Sequence, residues 1–562
     1  MNTNNIDTID NMGDEKYFVF QCVPGSVPKY EFHGGTQCYS EMSGLSVEDR
    51  IKYVHQHASV KTTDNDTADS NGKSLKRARE LFERASKSKG VDSLKNLNRA
   101  LITLPKEEID FKREIIDRIH KTVLKLNILN EDMNISDNKL VSKKLKVVYK
   151  EGVGRHVIAT EDITVGETIV AEVPGVSFLH DSHRFTNCHH CLRSVIQATP
   201  CDTCSQVMFC SDTCRHVARR YHDLECGHAD IIPGIGPLAP VLRILTSRPV
   251  EFFLERRDYL EKYDRTSDII DHGDEFDNLF SLQAGNKKDS QYKILKAANA
   301  YYLLYLLKKM NYFTNNDRNT VNEEHLIVGR FLEHFLRIAD DNCHEICELD
   351  TPKVTKDKSF DELFDTDDSA VSVVGVGIYP TISLFNNCCD VNTFKYHVGS
   401  REVVMARRDI KAGEEISDFY GEYFFNSSKL TRKKNLGKIV LWKVSCVQIP
   451  NLGFICGCVA CAKDWPLLDD LPGFTYEDVE DRYDWAVQRV ALESALTHVD
   501  VTCIRDICTR LGTLVHVSGP HQATVMPEMY LAYSHLYLSG NSSIKFKIFK
   551  NQINMSLTEK IK

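Results

Sequence analysis

No run of roughly 18 or more apolar residues occurs in this 562-residue sequence, so no segment is expected to cross a membrane. The start is not expected to act as a secretory signal either: MNTNNIDTIDNMGDEKY is polar and acidic. A positive surplus is also missing. The formal net charge is −9, which argues against binding to a phosphate backbone, and no sequence-specific nucleic-acid binding is expected. These absences predict a cytoplasmic and nuclear protein. Cysteine, in contrast, is plentiful. Nineteen copies would suggest disulfides in a secreted protein, but an intracellular chain keeps its thiols reduced. The thiols need another use.

Along the chain, residues 1–72 are polar and expected to be largely flexible. Residues 73–140 read as helical. Within them Ser93, Leu97, Ala100 and Pro105 fall at the spacing of the second helix of a tetratricopeptide repeat, although a generic amphipathic helix fits as well. Residues 147–180 are β-rich, and 188–226 are rich in cysteine. Residues 230–347 read mostly as helix, with Phe331, Leu332, Phe335, Leu336 and Ala339 sharing one face. The acidic stretch 348–370 reads as a solvated loop. Strand character returns at 371–425, 426–465 hold more cysteines, 470–540 read as helical, and 541–562 as a poorly ordered tail. One internal echo stands out. ATEDITVGETI (159–169) and ARRDIKAGEEI (406–416) share a pattern of strand, glycine turn and strand, 247 residues apart. Two copies suggest two β modules of one sheet system, separated by insertions.

The cysteine-rich segment holds Cys188-x2-Cys191, Cys201-x2-Cys204, Cys210-x3-Cys214 and His222-x3-Cys226. Eight sulfur or imidazole donors in 39 residues match two tetrahedral Zn2+ sites. So short a segment has little core, and metal binding would supply its folding free energy. A third cluster, Cys456-x-Cys458-x2-Cys461, is one ligand short, and Cys389 in FNNCCDVN is the best candidate to complete it.

The order of the first eight ligands resembles the MYND zinc finger. That resemblance implies interleaved sites, with Cys188, Cys191, Cys210 and Cys214 on one zinc and Cys201, Cys204, His222 and Cys226 on the other. It also implies a surface for proline-rich peptide partners. Taken with GIYPTISLFNNCCDVN, ARRDIKAGEEISDFY and FICGCVAC, the chain from about 147 to 465 resembles the SET-and-MYND-domain (SMYD) lysine methyltransferases. The fold class this implies is α+β: a split SET β-fold interrupted by a MYND finger and a helical insert, with a post-SET zinc site and helical N- and C-terminal segments. The implied activity is methyl transfer from S-adenosylmethionine (SAM) to a lysine of a protein substrate. Carried over position by position, the resemblance puts Gly152, Val153, Gly154 and Arg155 along the cofactor, joined by Asn342, Asn386, Asn387 and Phe454. Asn342 reads nearly as well as a helix C-cap. Tyr420 falls on the active-site tyrosine and is implied to touch the cofactor as well, and Cys389 falls on the post-SET zinc with Cys456, Cys458 and Cys461.

The chemistry accounts for these residue types. Methyl transfer from a sulfonium is an in-line displacement, so catalysis is chiefly positioning. The attacking lysine must be neutral, which costs about 4–5 kcal/mol at pH 7 and is eased by a desolvating channel. No acid–base triad is needed, and the sequence offers none. Three departures from the family pattern stand out: Asn387 replaces a histidine, Cys388 a serine, and about ten extra residues before Phe454 leave Leu452 where a tyrosine is expected. They motivate a second reading, a catalytically weak or inactive adaptor that binds partners through its finger.

Overall fold

The computed structural model describes residues 18–22, 29–32, 41–62, 71–125, 140–349, 371–436 and 456–472 apart from short gaps, and scattered positions from 484 to 541. Phe454, Leu452 and most of the expected tail lie outside the described residues. The longer helices are α1 (Val47–His57), α2 (Asn71–Lys87), α3 (Gly90–Thr103), α4 (Ile109–Lys125), α5 (Asp212–Glu225), α6 (Ala239–Thr246), α7 (Ser290–Lys309) and α8 (Glu323–Asn342). Among the described residues no helix is long and apolar enough to cross a membrane. Packing divides the chain into two units. One comprises Met1–Thr67, Arg220–Tyr263 and Gly285–Ile338, and the other Ala68–Arg219, Asp264–Ala284 and Ala339–Lys562.

In the first unit β1 (Phe18–Cys22) pairs antiparallel with β2 (Lys29–Phe32) and parallel with β3 (Ala58–Thr62). Helix α1 begins where the Ser46 hydroxyl accepts the Asp49 N–H at 3.1 Å, a cap that fixes the first turn. Ile51 and Val54, one helical turn apart, are fully buried, and Arg50 pairs with Glu333 of α8 at 3.0 Å. Within 1–72, expected to be largely flexible, the described residues Val47–His57 form a docked helix: a polar segment needs only a few apolar positions at helical spacing to dock. Ala300–Leu307 of α7 is buried on all sides, as its unbroken run of aromatic and aliphatic residues requires.

In the second unit four strands pair in the order β14 (Thr393–Val398), β15 (Arg401–Ala406), β7 (Thr168–Glu172) and β4 (Leu140–Val141). A three-stranded sheet runs β11 (Cys343–Leu349), β12 (Val371–Ile378), β8 (Val176–Leu179). The hairpin β5 (Leu145–Lys150)–β6 (Gly154–Ala159) is antiparallel, and β13 (Asn386–Asn387) pairs parallel with β16 (Ser417–Asp418). Val147, Val157, Ile169, Val374, Phe385, Val404 and Ile416 belong to one buried cluster among these strands. Strand β11 corrects the end of the expected helical insert at 347. The helix stops at Asn342, and the following residues bury Ile346 and Leu349 while pairing with β12 across a bulge. That pairing is long-range and leaves no local mark. Helices α2 and α3 pack back on each other, with Ser93 donating to the Ala85 carbonyl at 2.8 Å and Leu97 and Ala100 fully buried.

The two echoed stretches meet at a seam. Ile163 and Ile410 exchange backbone hydrogen bonds of 2.9 Å in both directions. Asp162 accepts the Ala412 N–H at 2.9 Å, and in return Asp409 accepts the Val165 N–H at 3.0 Å. The Ala159 N–H reaches the Glu414 carbonyl and the Ala406 N–H the Glu167 carbonyl, both at 2.9 Å. Each of these bonds in one copy has its counterpart in the other, so the backbone pairing of the seam has local two-fold symmetry. Gly166 and Gly413 occupy equivalent turns at φ +77° and +87°. No atom lies within 4 Å of a Cβ built on Gly413, so Gly413→Ala meets backbone strain alone. It is expected to lower stability by about 1–2 kcal/mol, measured by denaturant unfolding. An unshifted midpoint would refute the strain.

Candidate active site and cysteine clusters

The parallel pairing of β13 with β16 joins two distant stretches through the register Asn386↔Ser417 and Asn387↔Asp418. Buried Asn392 fixes the same junction: it accepts the Ser417 N–H at 3.0 Å and donates to the Glu415 carbonyl at 2.8 Å. Tyr420 follows directly. Its N–H is accepted by the Asn387 side-chain carbonyl at 2.9 Å, and its hydroxyl donates to the Phe385 carbonyl at 3.0 Å. Burial first, then the Asp418 carboxylate, pushes the phenol pKa above its usual range, so the hydroxyl stays protonated near neutral pH. A phenol that donates its proton in this way can still accept through its oxygen lone pairs.

Asn387 does more than the sequence suggests. Its amide makes two hydrogen bonds, the one from the Tyr420 N–H and a second from Nδ2 to the Cys456 sulfur at 3.2 Å. It thereby ties Tyr420 to the third cysteine cluster. Cys388 instead turns its sulfur to the Asp390 carbonyl at 3.3 Å, and Asn386 donates to Glu415 at 3.2 Å.

Cys389 meets the downstream trio. Its sulfur lies 3.8 Å from that of Cys456 and 3.5 Å from that of Cys461, and all four sulfurs of Cys389, Cys456, Cys458 and Cys461 lie within 4.8 Å of one another. Phe424, Phe425, Ala460 and Leu471 pack around them. Arg432, almost wholly buried, bonds the Phe424 carbonyl at 3.2 Å and the Cys461 sulfur at 3.7 Å. In the cysteine-rich segment, Cys188, Cys191, Cys210 and Cys214 also gather within 4.8 Å. Of the remaining donors, Cys201 and Cys204 belong to the second unit, whereas His222 on the last turn of α5 and Cys226 just beyond it belong to the first. Four sulfurs at such separations have the number and softness that a tetrahedral Zn2+ takes.

The glycine turn lies at the β5–β6 hairpin. Gly152 and Gly154 have φ of +79° and +90°, and no atom comes within 4 Å of a Cβ built on either, while Val153 is exposed. Any side chain there would occupy the space beside the backbone. The Arg155 guanidinium is committed elsewhere, donating to the Ser281 carbonyl at 2.7 Å. Asn342, the last residue of α8, donates to the Gln283 carbonyl at 3.0 Å. Sequence reasoning missed a buried charge network under this region. Lys395 meets Asp418 at 2.8 Å and Glu402 at 3.3 Å, and His344 lies 3.5 Å from Glu402. Burial opposes the lysine's charge, but the two carboxylates outweigh it and raise its pKa. No local pattern announces this network, because its members come from four separate strands.

The family profile described as SET domain matches residues 154–421. Among curated proteins, the chain is 24% identical over 345 residues to "Protein-lysine N-methyltransferase SMYD4" of Gallus gallus, covering 50% of this chain and 46% of that one. It is 21% identical over 307 residues to "Histone-lysine N-methyltransferase ASHR1" of Arabidopsis thaliana, covering 53% and 54%. The chain spans about half the length of the curated relatives it matches. A solved structure of the SET domain of LSMT bound to lysine and AdoHcy covers 79% of this chain and 91% of that chain, at 10% identity and a TM-score of 0.23, too loose a likeness to bear on the site.

Proposed function

We propose, on the premise of a SET domain and of the resemblance to the SMYD-type protein-lysine methyltransferases, that this chain methylates a lysine side chain of a protein substrate. The observation that carries this reading is the pair of hydrogen bonds made by the Asn387 amide, accepting from the Tyr420 N–H and donating to the Cys456 sulfur, which joins a tyrosine, an asparagine pair and a cysteine quartet from separate stretches. SAM, when bound, supplies the electrophilic methyl. The turn Gly152–Gly154 and Asn386 would border it with backbone and amide. Asn387 would act there through its hold on Tyr420, and Arg155 through its main chain. Asn342 at the end of α8 and Phe454 complete the proposed cofactor set.

Tyr420 would act by orientation. Its hydroxyl proton is held by the Phe385 carbonyl, so the oxygen can accept from the incoming amine and face the transferring methyl. Half-buried surroundings would help strip water from the amine and lower its pKa. Zinc in the proposed post-SET quartet (Cys389, Cys456, Cys458, Cys461) would tie the tyrosine's support together. Zinc in the two finger sites, Cys188/Cys191/Cys210/Cys214 and Cys201/Cys204/His222/Cys226, would hold a MYND domain for proline-rich peptides. The tetratricopeptide assignment for α2 and α3 belongs to the same proposal.

The test is calorimetry of the zinc-loaded protein with SAM, followed by transfer of radiolabelled methyl to a lysine-rich protein mixture. Binding and transfer are both expected. Absence of SAM binding would eliminate the enzyme reading. Binding without transfer would favour the adaptor, which the substitutions at Asn387 and Cys388 first suggested.

A further inference from the structure

Helices α2 and α3 enclose an open pocket of about 350 Å3, lined by Lys76, Arg77, Glu80, Leu81, Arg84 and Arg99. Four cations thus face one carboxylate. Arg77, Leu81 and Arg84 recur at helical spacing, so they share a face of α2, and Leu81 is buried while both arginines are exposed. Among the described residues none of Lys76, Arg77, Arg84 or Arg99 forms an ion pair. Arg99 is half-buried and stacks on Phe185 at 4.9 Å from the ring centroid, with Arg184 on the same ring at 5.1 Å. Burial, then Arg77, Arg84 and Arg184, lowers the Arg99 pKa.

A solvated helix face normally intersperses charges of both signs and keeps like charges apart. Gathering uncompensated cations around a concavity opposes folding and is relieved when an anion enters. Three features select the kind of anion. The pocket is the size of a few side chains, which a nucleic-acid groove would overfill. Its apolar floor at Leu81 suits the methylenes of a glutamate. Glu80 on the rim repels any anion, but it could accept an N–H from a peptide backbone, a donor that a phosphodiester backbone lacks. We propose that this pocket binds an acidic peptide segment, whose carboxylates pair with Arg77, Arg84 and Arg99. The site is separate from the methyl-transfer residues and does not depend on that reading.

Fluorescence anisotropy with the full-length, zinc-loaded chain tests it, using labelled hexaglutamate, hexaglutamine, a phosphoserine-containing peptide and a short DNA duplex. Hexaglutamate is expected to bind and to weaken as salt rises. Its affinity should fall about tenfold or more in Arg77→Gln/Arg84→Gln, in keeping with the loss of two charge-assisted contacts. Glu80→Gln should tighten binding, a gain that a merely structural role would not give. Stronger binding of the phosphoserine peptide would support the pocket and assign it a phosphorylated form of the same ligand class. Because both arginines are exposed and like-charged, the double variant should melt no earlier than the parent; should it melt earlier, Glu80→Gln alone decides the case. No binding of either anionic peptide, equal binding of hexaglutamine, unchanged affinity in the folded double variant, or preference for the duplex would each overturn the proposal.

Discussion

Cys389→Ala is expected to remove one of three zinc equivalents and to abolish methyl transfer. The reasoning is geometric. Cys389 sits beside the asparagine pair, and its three partner sulfurs arrive from 456–461, all within 4.8 Å. Remove one thiolate, and the site falls below the coordination that structural zinc takes. The binding free energy at stake is large, about 10–16 kcal/mol in zinc-finger peptides. The small cluster of Phe424, Phe425, Ala460 and Leu471 has little else to hold it. Arg432 sharpens the expectation: its buried guanidinium reaches the Cys461 sulfur at 3.7 Å, a cation placed where zinc-bound thiolates would leave net negative charge. Metal released on denaturation, titrated with a chromophoric chelator, gives the count. Three equivalents retained, or transfer at the parent rate, would refute the assignment of this quartet.

Tyr420→Phe is expected to cut methyl transfer by about 10²–10³-fold, the scale seen when one preorganised polar group is removed from a reaction centre. SAM binding should change little, because the ring and its packing are retained and only one oxygen is lost. That split between turnover and binding distinguishes an interaction made during the reaction from one made in the ground state. The substitution also leaves the Phe385 carbonyl without its partner, a stability loss of about 1–3 kcal/mol. Thermal unfolding should therefore accompany the kinetics. If transfer falls only as far as the folded fraction falls, or if SAM no longer binds, the tyrosine is a structural residue.

How much of this was legible in the sequence depends on distance along the chain. Cysteine knuckles such as Cys188-x2-Cys191 are local, and their spacing alone announces ligand pairs. The need for a fourth ligand was legible by arithmetic, since Cys456, Cys458 and Cys461 are three, while the choice of Cys389 drew on the family resemblance of the sequence around it. The echoed pattern around Asp162 and Asp409 foretold two related modules, and the structure adds that each copy satisfies the other's backbone. What stayed hidden was long-range. Lys395, Glu402 and Asp418 become a network only after β14, β15 and β16 converge, and the Arg155 side chain is bound to a carbonyl of Ser281 that no motif connects to it. The strand β11 was read as helix because its start continues the apolar spacing of α8, and only pairing with β12 decides between the two periods. The sheet of β1, β2 and β3 escaped notice because a polar composition is weak evidence about backbone pairing.

The reciprocal seam also explains how so much chain can sit between its halves. The copies at 159–169 and 406–416 hold each other by matched backbone bonds, and those bonds do not sense how long the connection is. Closing a loop costs entropy that grows only with the logarithm of its length, about 0.6 kcal/mol for each doubling. Lengthening a short hairpin connection of about ten residues to the present 236, residues 170–405, is between four and five doublings, about 3 kcal/mol in all. A folded insert needs to recover no more than that, so the space between the copies is a place where the protein tolerates whole modules.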